Sequence, residues 1–197
     1  SGGAIRVYGH AFHRDGLPRG LGPEVDDRFE GVQGGFRADF AGGSEHFTVQ
    51  GDIFGTDSGG MAGDGDSGHN ILARWTRAFA DESSLRVQAY YDWFERDFAL
   101  VRDSLQTFDL DVQFNHRAGA HELVAGSGLR TTRDTFVNNL NAFRLEPPRK
   151  RLWVFNAFVQ DRIALSPEVS LILGIKAERT SFTGVELLPN VRLAWQP

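Results

Sequence analysis

The chain alternates between apolar and polar residues over most of its length. The clearest stretch is 105–115, where Phe108, Leu110, Val112 and Phe114 are interleaved with polar residues such as Asp109. Successive side chains of a β-strand point to opposite faces, so this segment has one apolar surface and one strongly polar surface. A sheet that repeats the pattern is typical of a membrane β-barrel, with lipid outside and water inside.

Alternation and turn residues together predict about ten strands. They cover 4–14, 31–40, 46–54, 70–79, 85–96, 105–115, 121–132, 151–165, 169–179 and 187–196. Short turns alternate with longer loops, and the longer ones are predicted at 15–30, 55–69, 97–104, 133–150 and 180–186. Short periplasmic turns and long extracellular loops characterise outer-membrane barrels. The predicted fold class is therefore all-β, an antiparallel up-and-down transmembrane barrel segment.

The large aromatic residues fit this orientation. Tyr91 and Trp93 end a predicted upward strand and Trp153 begins a downward one, so all three are predicted near the outer membrane interface. Trp195 ends a downward strand and is predicted near the inner interface. Interfaces favour such rings because one part of the side chain is apolar and the other seeks water. Trp75 lies near the middle of its predicted strand and does not fit the belt.

Composition narrows the function classes. The 197 residues contain no cysteine, which excludes disulfides and thiolate metal sites, and the net charge of −5 comes without a basic stripe that would indicate nucleic acid. No apolar run approaches the ~18 residues of a transmembrane helix. No nucleophile elbow, zinc-binding helix or phosphate loop is present, so we expect no catalytic residue, no metal and no cofactor.

The polar sides of the strands carry interleaved charges of both signs. Such residues suit cross-strand ion pairs along a hydrated barrel lining, and a specific substrate track is the alternative. The predicted lining residues are Arg37, Asp39, Asp52, Arg74, Arg86, Asp92, Asp109, Asp111 and Arg192, with Arg6, Arg130, Arg162, Lys176 and Glu178 on the same side.

Two local motifs are weaker. The stretch 64–69 has carboxylates at alternate positions, as a calcium loop does, but no glutamate follows at the twelfth position, so we predict a flexible loop. His10 and His13 cluster with Arg14 and Asp15 at the outer end of the first strand, which predicts a polar rim.

Several of these strings, in this order, resemble the β-barrel region of TonB-dependent outer-membrane receptors. The stretches are 34–40 and 47–52, 70–75 and 85–92, Ala-Phe-Val-Gln-Asp-Arg-Ile-Ala-Leu at 157–165 with 171–178, and Pro-Asn-Val-Arg-Leu-Ala-Trp at 189–195. The resemblance implies the outer membrane of a Gram-negative bacterium and active import of a scarce solute such as a ferric siderophore. It also implies as partners the lipid bilayer, the receptor's own plug domain, the TonB protein and a ferric chelate.

The resemblance has consequences for the domain and for the site. Receptors of this kind have 22 strands and a plugged lumen, so we expect 1–197 to be a single central segment of a larger barrel, with the plug and the C-terminal strands outside it.

For substrate binding at the extracellular rim we predict Arg14, Arg96 and Arg133, because long cationic side chains there can meet anionic chelates.

Three other interpretations stay open. A soluble β-sandwich or soluble up-and-down barrel with a buried apolar face is one; it requires a second layer over that face, for which the sequence offers no helix or second sheet. A stand-alone small outer-membrane barrel is another, either passive or a rim protease that uses Asp and His. In the protease, the catalytic groups would be drawn from His13, Asp92, Asp97 and Asp134.

Overall fold

A computed structural model describes residues 2–16, 27–59, 64–98, 101–138 and 144–196. These residues form ten β-strands, each paired antiparallel with the next along the chain. The strands are β1 (Gly2–Arg14), β2 (Phe29–Gly42), β3 (Glu45–Ser58), β4 (Gly65–Ala78), β5 (Ser83–Phe98), β6 (Val101–Ala118), β7 (His121–Asn138), β8 (Arg149–Ala164), β9 (Val169–Thr180) and β10 (Val185–Trp195). The predicted up-and-down order is confirmed, and β1 and β10 are the edges of a sheet that is not closed.

The strand register divides the side chains between two faces. Tyr90, Asp109 and Arg130 lie opposite one another on β5, β6 and β7, so they share what we call the polar face. One position along, Ala89, Leu110, Leu129 and Phe155 form a row on the other side, which we call the apolar face. The alternation therefore predicts the facing of the strands correctly.

The sheet is a single layer without a core. Among the described residues no hydrophobic side chain is buried, and the accessible surface is 13492 Å². A compact protein of 21.9 kDa exposes roughly 9300 Å² by the usual scaling of surface with mass. The apolar face therefore needs cover from outside this sheet. No helix in the described ranges is long and apolar enough to cross a membrane.

The inner ends of the strands are joined by tight turns. We call inner the end at which residues 43–44, 79–82, 119–120 and 165–168 connect neighbouring strands, and outer the opposite end. Gly43 and Gly119 begin the two-residue turns with φ of 58° and 57°. Glycine adopts this left-handed conformation without steric strain, and it suits the twist of a hairpin.

At the outer end the strands are longer than the sequence pattern predicts. β3 continues to Ser58, β4 begins at Gly65, β6 begins at Val101 and β7 continues to Asn138. The loops predicted at 55–69, 97–104 and 133–150 are correspondingly shorter. The flexible loop predicted at 64–69 is wrong, because Gly65 to His69 pair with β5.

The sequence pattern does not predict these extensions, because at the outer ends of the strands polar residues occupy the apolar face and apolar residues occupy the polar face. On β5, Trp93 is the last apolar residue of the apolar face, and Glu95 and Asp97 follow it on that side while Phe94 lies on the polar face. The apolar band from Leu85 to Trp93 spans nine residues, about 27 Å along the strand and roughly 21 Å in height after barrel tilt. This matches the ~25 Å apolar band of membrane barrels.

The aromatic residues mark the limits of this band. Tyr91 and Trp153 belong to one row of the apolar face, connected through Phe108 and Thr131, and Trp93 lies one row further out. Trp195 is opposite Val169 near the inner end. Trp75 lies three residues before the inner end of β4, not in mid-strand. It therefore belongs with the inner aromatic residues, contrary to the sequence-based expectation.

Candidate functional site

The nine principal residues predicted to line a barrel all lie on the polar face. Directly opposite residues share a face, and so do residues an even number of positions apart along a strand; the register connects all nine residues in this way. They are Arg37, Asp39, Asp52, Arg74, Arg86, Asp92, Asp109, Asp111 and Arg192. The polar face is thus a continuous charged surface that extends across the strands.

Ion pairs and hydrogen bonds connect neighbouring strands across this surface. The Arg37 guanidinium donates from Nε to Asp39 at 2.6 Å and from Nη1 to the Gln50 side chain on β3 at 3.0 Å. Thr48 Oγ1 donates to the same Asp39 carboxylate at 2.7 Å. Because both charges and the neutral groups between them are satisfied, this part of the surface is stabilised as a network.

The centre of the polar face repeats the arrangement. Arg130 Nε donates to Asp109 at 2.8 Å, and Arg74 Nε donates to the Gln88 side chain at 2.8 Å. The Tyr8 hydroxyl on β1 donates across the sheet to Asp52 on β3. These contacts are exposed and individually weak, so they favour the hydrated barrel lining over a dedicated binding track.

Aromatic side chains appear on the polar face near its outer end. The rings of Phe12 and Phe29 are 5.4 Å apart, those of His10 and Phe12 are 5.8 Å apart, and those of Phe54 and Phe94 are 6.3 Å apart. We call these five residues the aromatic rim. Of these five, the sequence analysis singled out only His10, as part of a polar rim, and the structure separates it from His13, which lies on the apolar side. The four phenylalanines were given no role, although they are apolar residues at polar positions of the alternation.

Two glycines make room for the aromatic rim. A Cβ atom at Gly31 would lie 2.7 Å from the Phe12 ring, and one at Gly68 would lie 2.7 Å from the Phe54 ring. Real Cβ atoms do not approach other atoms this closely, so a side chain at either position would displace a ring. The Phe12 and Phe54 rings therefore occupy the space that a side chain at Gly31 or Gly68 would fill.

The three arginines predicted at the rim are divided between the two faces. Arg14 and Arg96 lie on the polar face, and Arg96 pairs with Asp66 at 3.0 Å and lies over the Phe94 ring at 5.4 Å. Arg133 does not join them. It stands opposite Arg151 on the other side of the sheet, three positions after Arg130 and thus one face away. The sequence pattern predicts a loop at 133–150 and therefore does not predict the face on which Arg133 lies, whereas the structure continues β7 to Asn138.

The chain matches the family of TonB dependent receptor-like β-barrels over residues 7–197. It belongs to this family. The resemblance noted in the sequence is therefore confirmed. Comparison with curated proteins gives no match.

Solved structures agree with this barrel fold. The siderophore receptor PirA from Pseudomonas aeruginosa is similar at a TM-score of 0.74 and 16% identity, over 99% of this chain and 36% of that chain. The copper transporter OprC has a TM-score of 0.65 at 12% identity, over 97% and 37%. The ferripyoverdine receptor of the outer membrane of Pseudomonas aeruginosa has a TM-score of 0.64 at 12% identity, over 99% and 39%. The chain thus spans little more than a third of the length of these structures.

The structure does not bring together the four residues that a rim protease would use. His13 and Asp97 lie on the apolar side of the sheet, whereas Asp92 and Asp134 lie on the polar face. His13 contacts Glu30 and Asp15, each at 3.1 Å. The four groups do not converge, and the family is one of receptors and transporters.

Proposed function

We propose that this chain is an arc of the barrel of an outer-membrane receptor that imports a scarce solute, such as a ferric siderophore, with energy delivered through TonB. The observation that carries the proposal is the family match over 7–197. It is supported by a polar face suited to an aqueous lumen and by a single layer whose apolar face needs lipid to cover it.

The arc belongs, in this proposal, to a larger closed barrel with a plug domain in its lumen. Both β1 and β10 pair on one side only, which leaves two open edges of the kind that closed barrels eliminate. Barrels with plugged lumens in this class have 22 strands, more than twice the number described here. The polar face, with its exposed arginines and carboxylates, would then meet the plug and water.

For the substrate we propose an anionic metal chelate that carries aromatic or other planar groups. The aromatic rim offers faces for stacking, and Arg14 and Arg96 stand beside it on the same face. Two of the similar structures are receptors for siderophores, and ferric siderophore import is therefore our first candidate. The copper transporter among them makes copper import the second candidate.

The test is ligand binding by the full-length receptor with substitutions at the rim. We expect the double variant R14Q/R96Q, or F12A/F94A, to weaken binding of an anionic ferric chelate about thirtyfold, since each of the two lost cations or stacked rings contributes about 1 kcal/mol. The control R133Q/R151Q removes the same charge at the outer end of the opposite face and leaves the affinity unchanged.

Calorimetric titration with the ferric chelate and with Cu²⁺ separates the candidates. Loss of chelate affinity in the rim variants alone supports the siderophore assignment. Binding of Cu²⁺ by the wild-type receptor, with no chelate binding, supports copper import instead. Equal chelate affinity in all variants would exclude the aromatic rim as part of the substrate site.

A further inference from the structure

Four arginines lie close together on the apolar side of the sheet, at the outer ends of β7, β8 and β9. Arg133 on β7 stands directly opposite Arg151 on β8, and Arg149 lies two positions further out on the same side of β8. Arg179 is the second-last residue of β9 and is opposite Phe155, one row nearer the inner end, and its guanidinium lies 5.6 Å from the centre of the Trp153 ring. We call Arg133, Arg149, Arg151 and Arg179 the arginine cluster. All four side chains are exposed.

The cluster has no counter-charge within the described part of the chain. Arg133, Arg149 and Arg151 make neither an ion pair nor a hydrogen bond there, and the other side chains beyond Trp153 on this side of β6 to β9 include no carboxylate. Directly opposed residues have Cβ atoms about 5 Å apart, and like charges at that separation destabilise a sheet. An anion between the guanidinium groups would remove this repulsion.

The position of the cluster indicates which anion. On β8 the next residues toward the inner end on the same side are Trp153, Phe155, Ala157 and Val159, of which Phe155 and Val159 are exposed apolar side chains. Arg151 lies two residues beyond Trp153, about 7 Å along the strand. An amphiphile with its chains along that band therefore has its headgroup at the level of the arginine cluster.

We propose that the arginine cluster binds the phosphate group of a lipid in the surrounding membrane leaflet. Guanidinium groups bind phosphate with two parallel hydrogen bonds, and Trp153 supplies the amphipathic ring expected at headgroup depth. The hydroxyls of Thr131 and Thr135 lie on the same side of β7 and provide neutral donors beside the charges. The proposal rests on the membrane placement under the proposed function.

The test is lipid binding to the receptor in detergent micelles, followed by native mass spectrometry. Phosphatidic acid and phosphatidylcholine with identical acyl chains differ only in whether the phosphate is capped by choline. A basic residue near an anionic membrane surface contributes roughly fivefold in affinity, so R133Q/R149Q/R151Q is expected to weaken phosphatidic acid binding about a hundredfold. Its affinity for phosphatidylcholine stays unchanged.

Two further variants keep the result interpretable. R6Q/R74Q/R192Q removes three charges from the polar face and is expected to leave phosphatidic acid binding unaltered. R133K/R149K/R151K retains the charge without the planar fork and keeps most of the affinity, which also shows that substitution at these sites does not unfold the barrel.

Three other results would contradict the proposal, each at a different point. Unchanged phosphatidic acid affinity in R133Q/R149Q/R151Q, or an equal loss in the polar-face control, overturns the lipid phosphate site. Inorganic phosphate binding as tightly as phosphatidic acid overturns the lipid as its source. If neither lipid binds the wild-type receptor, the membrane placement itself fails, and that result is distinct from a failure of the cluster alone.

Discussion

Two regions at the outer end of the apolar side have opposite charge. On β1 to β5 the residues beyond the apolar band include Glu30, Asp57, Glu95 and Asp97, which line a hollow of about 740 Å³. On β7 to β9 the corresponding level carries the arginine cluster. Glu95 and Arg149 belong to one row, connected through Ser104 and Thr135, and Arg133 and Arg151 lie one row nearer the inner end. The two regions therefore adjoin at the outer end of the same sheet and differ in the charge of their side chains.

The acidic region is partly neutralised within the chain. Glu30 contacts His13 at 3.1 Å, and Asp97 pairs with Arg102 on β6. The hollow exists because Ala11, Gly55 and Gly65 present little or no side chain there. The arginine cluster, in contrast, makes no ion pair among the described residues. The arginine cluster therefore suits the proposed lipid phosphate, whereas the acidic region repels an anionic headgroup.

The largest effect is expected below both regions, within the apolar band. L110R places a charge at the centre of the band on β6, and an arginine facing lipid at mid-depth costs about 2–4 kcal/mol in barrel stability. T107R, on the polar face of the same strand, is the matched control and should change stability by less than about 1 kcal/mol. Urea unfolding of the receptor from lipid vesicles measures both, and equal destabilisation would show that the two faces share one environment.

A second prediction compares two glycines of β3. A Cβ at Gly51, inside the band, would lie 2.6 Å from the Asn70 carbonyl oxygen, whereas one at Gly55, in the hollow, meets nothing within 4 Å. G51A is therefore expected to destabilise the barrel by about 1–3 kcal/mol, because backbone has to shift, and G55A by less than about 0.5 kcal/mol. Unfolding midpoints in urea check this. A large loss in G55A would mean that the hollow is filled.

The smallest effect concerns repulsion between the acidic region and lipid phosphate. Asp57 makes no ion pair among the described residues, Glu95 shares the nearby Arg102 with Asp97, and β5 is about 10 Å from β7, close to one Debye length. D57N/E95Q should therefore raise phosphatidic acid affinity about twofold to threefold at low salt, with no gain at 1 M salt. Native mass spectrometry at low ionic strength measures the change. A decrease in affinity would instead indicate that the carboxylates attract the headgroup.

Much of the fold follows from alternation alone, because a period of two is unambiguous where lipid and water lie on opposite sides. The facing of Asp109 and Leu110 was predictable for this reason. Alternation is not informative at the outer ends of the strands, where polar residues occur on both faces of the sheet. Beyond Trp93 the polar residues move to the apolar side and Phe94 to the polar face, so alternation predicts a loop where the structure has a strand. The prediction that Arg133 belongs with Arg14 and Arg96 fails for this reason, because Arg133 lies on the apolar side of the sheet.

The site was less predictable than the fold, for a related reason. The aromatic rim and the arginine cluster both join residues from strands distant in sequence, such as Phe54 with Phe94 and Arg133 with Arg151. Such neighbours depend on register, and register depends on where each hairpin turns. An error of one residue in a turn moves a side chain to the other face.

The claim on which everything rests is that Leu110 and its row contact lipid while Asp109 and its row contact water. The sequence contains no cysteine, so single cysteines at each position from 105 to 115 can carry a spin label without background. We expect labels at 108, 110, 112 and 114 to relax with oxygen, which partitions into bilayers, and labels at 107, 109, 111 and 113 to relax with a water-soluble nickel chelate. A profile without this alternation, or with the two sets exchanged, would contradict the account.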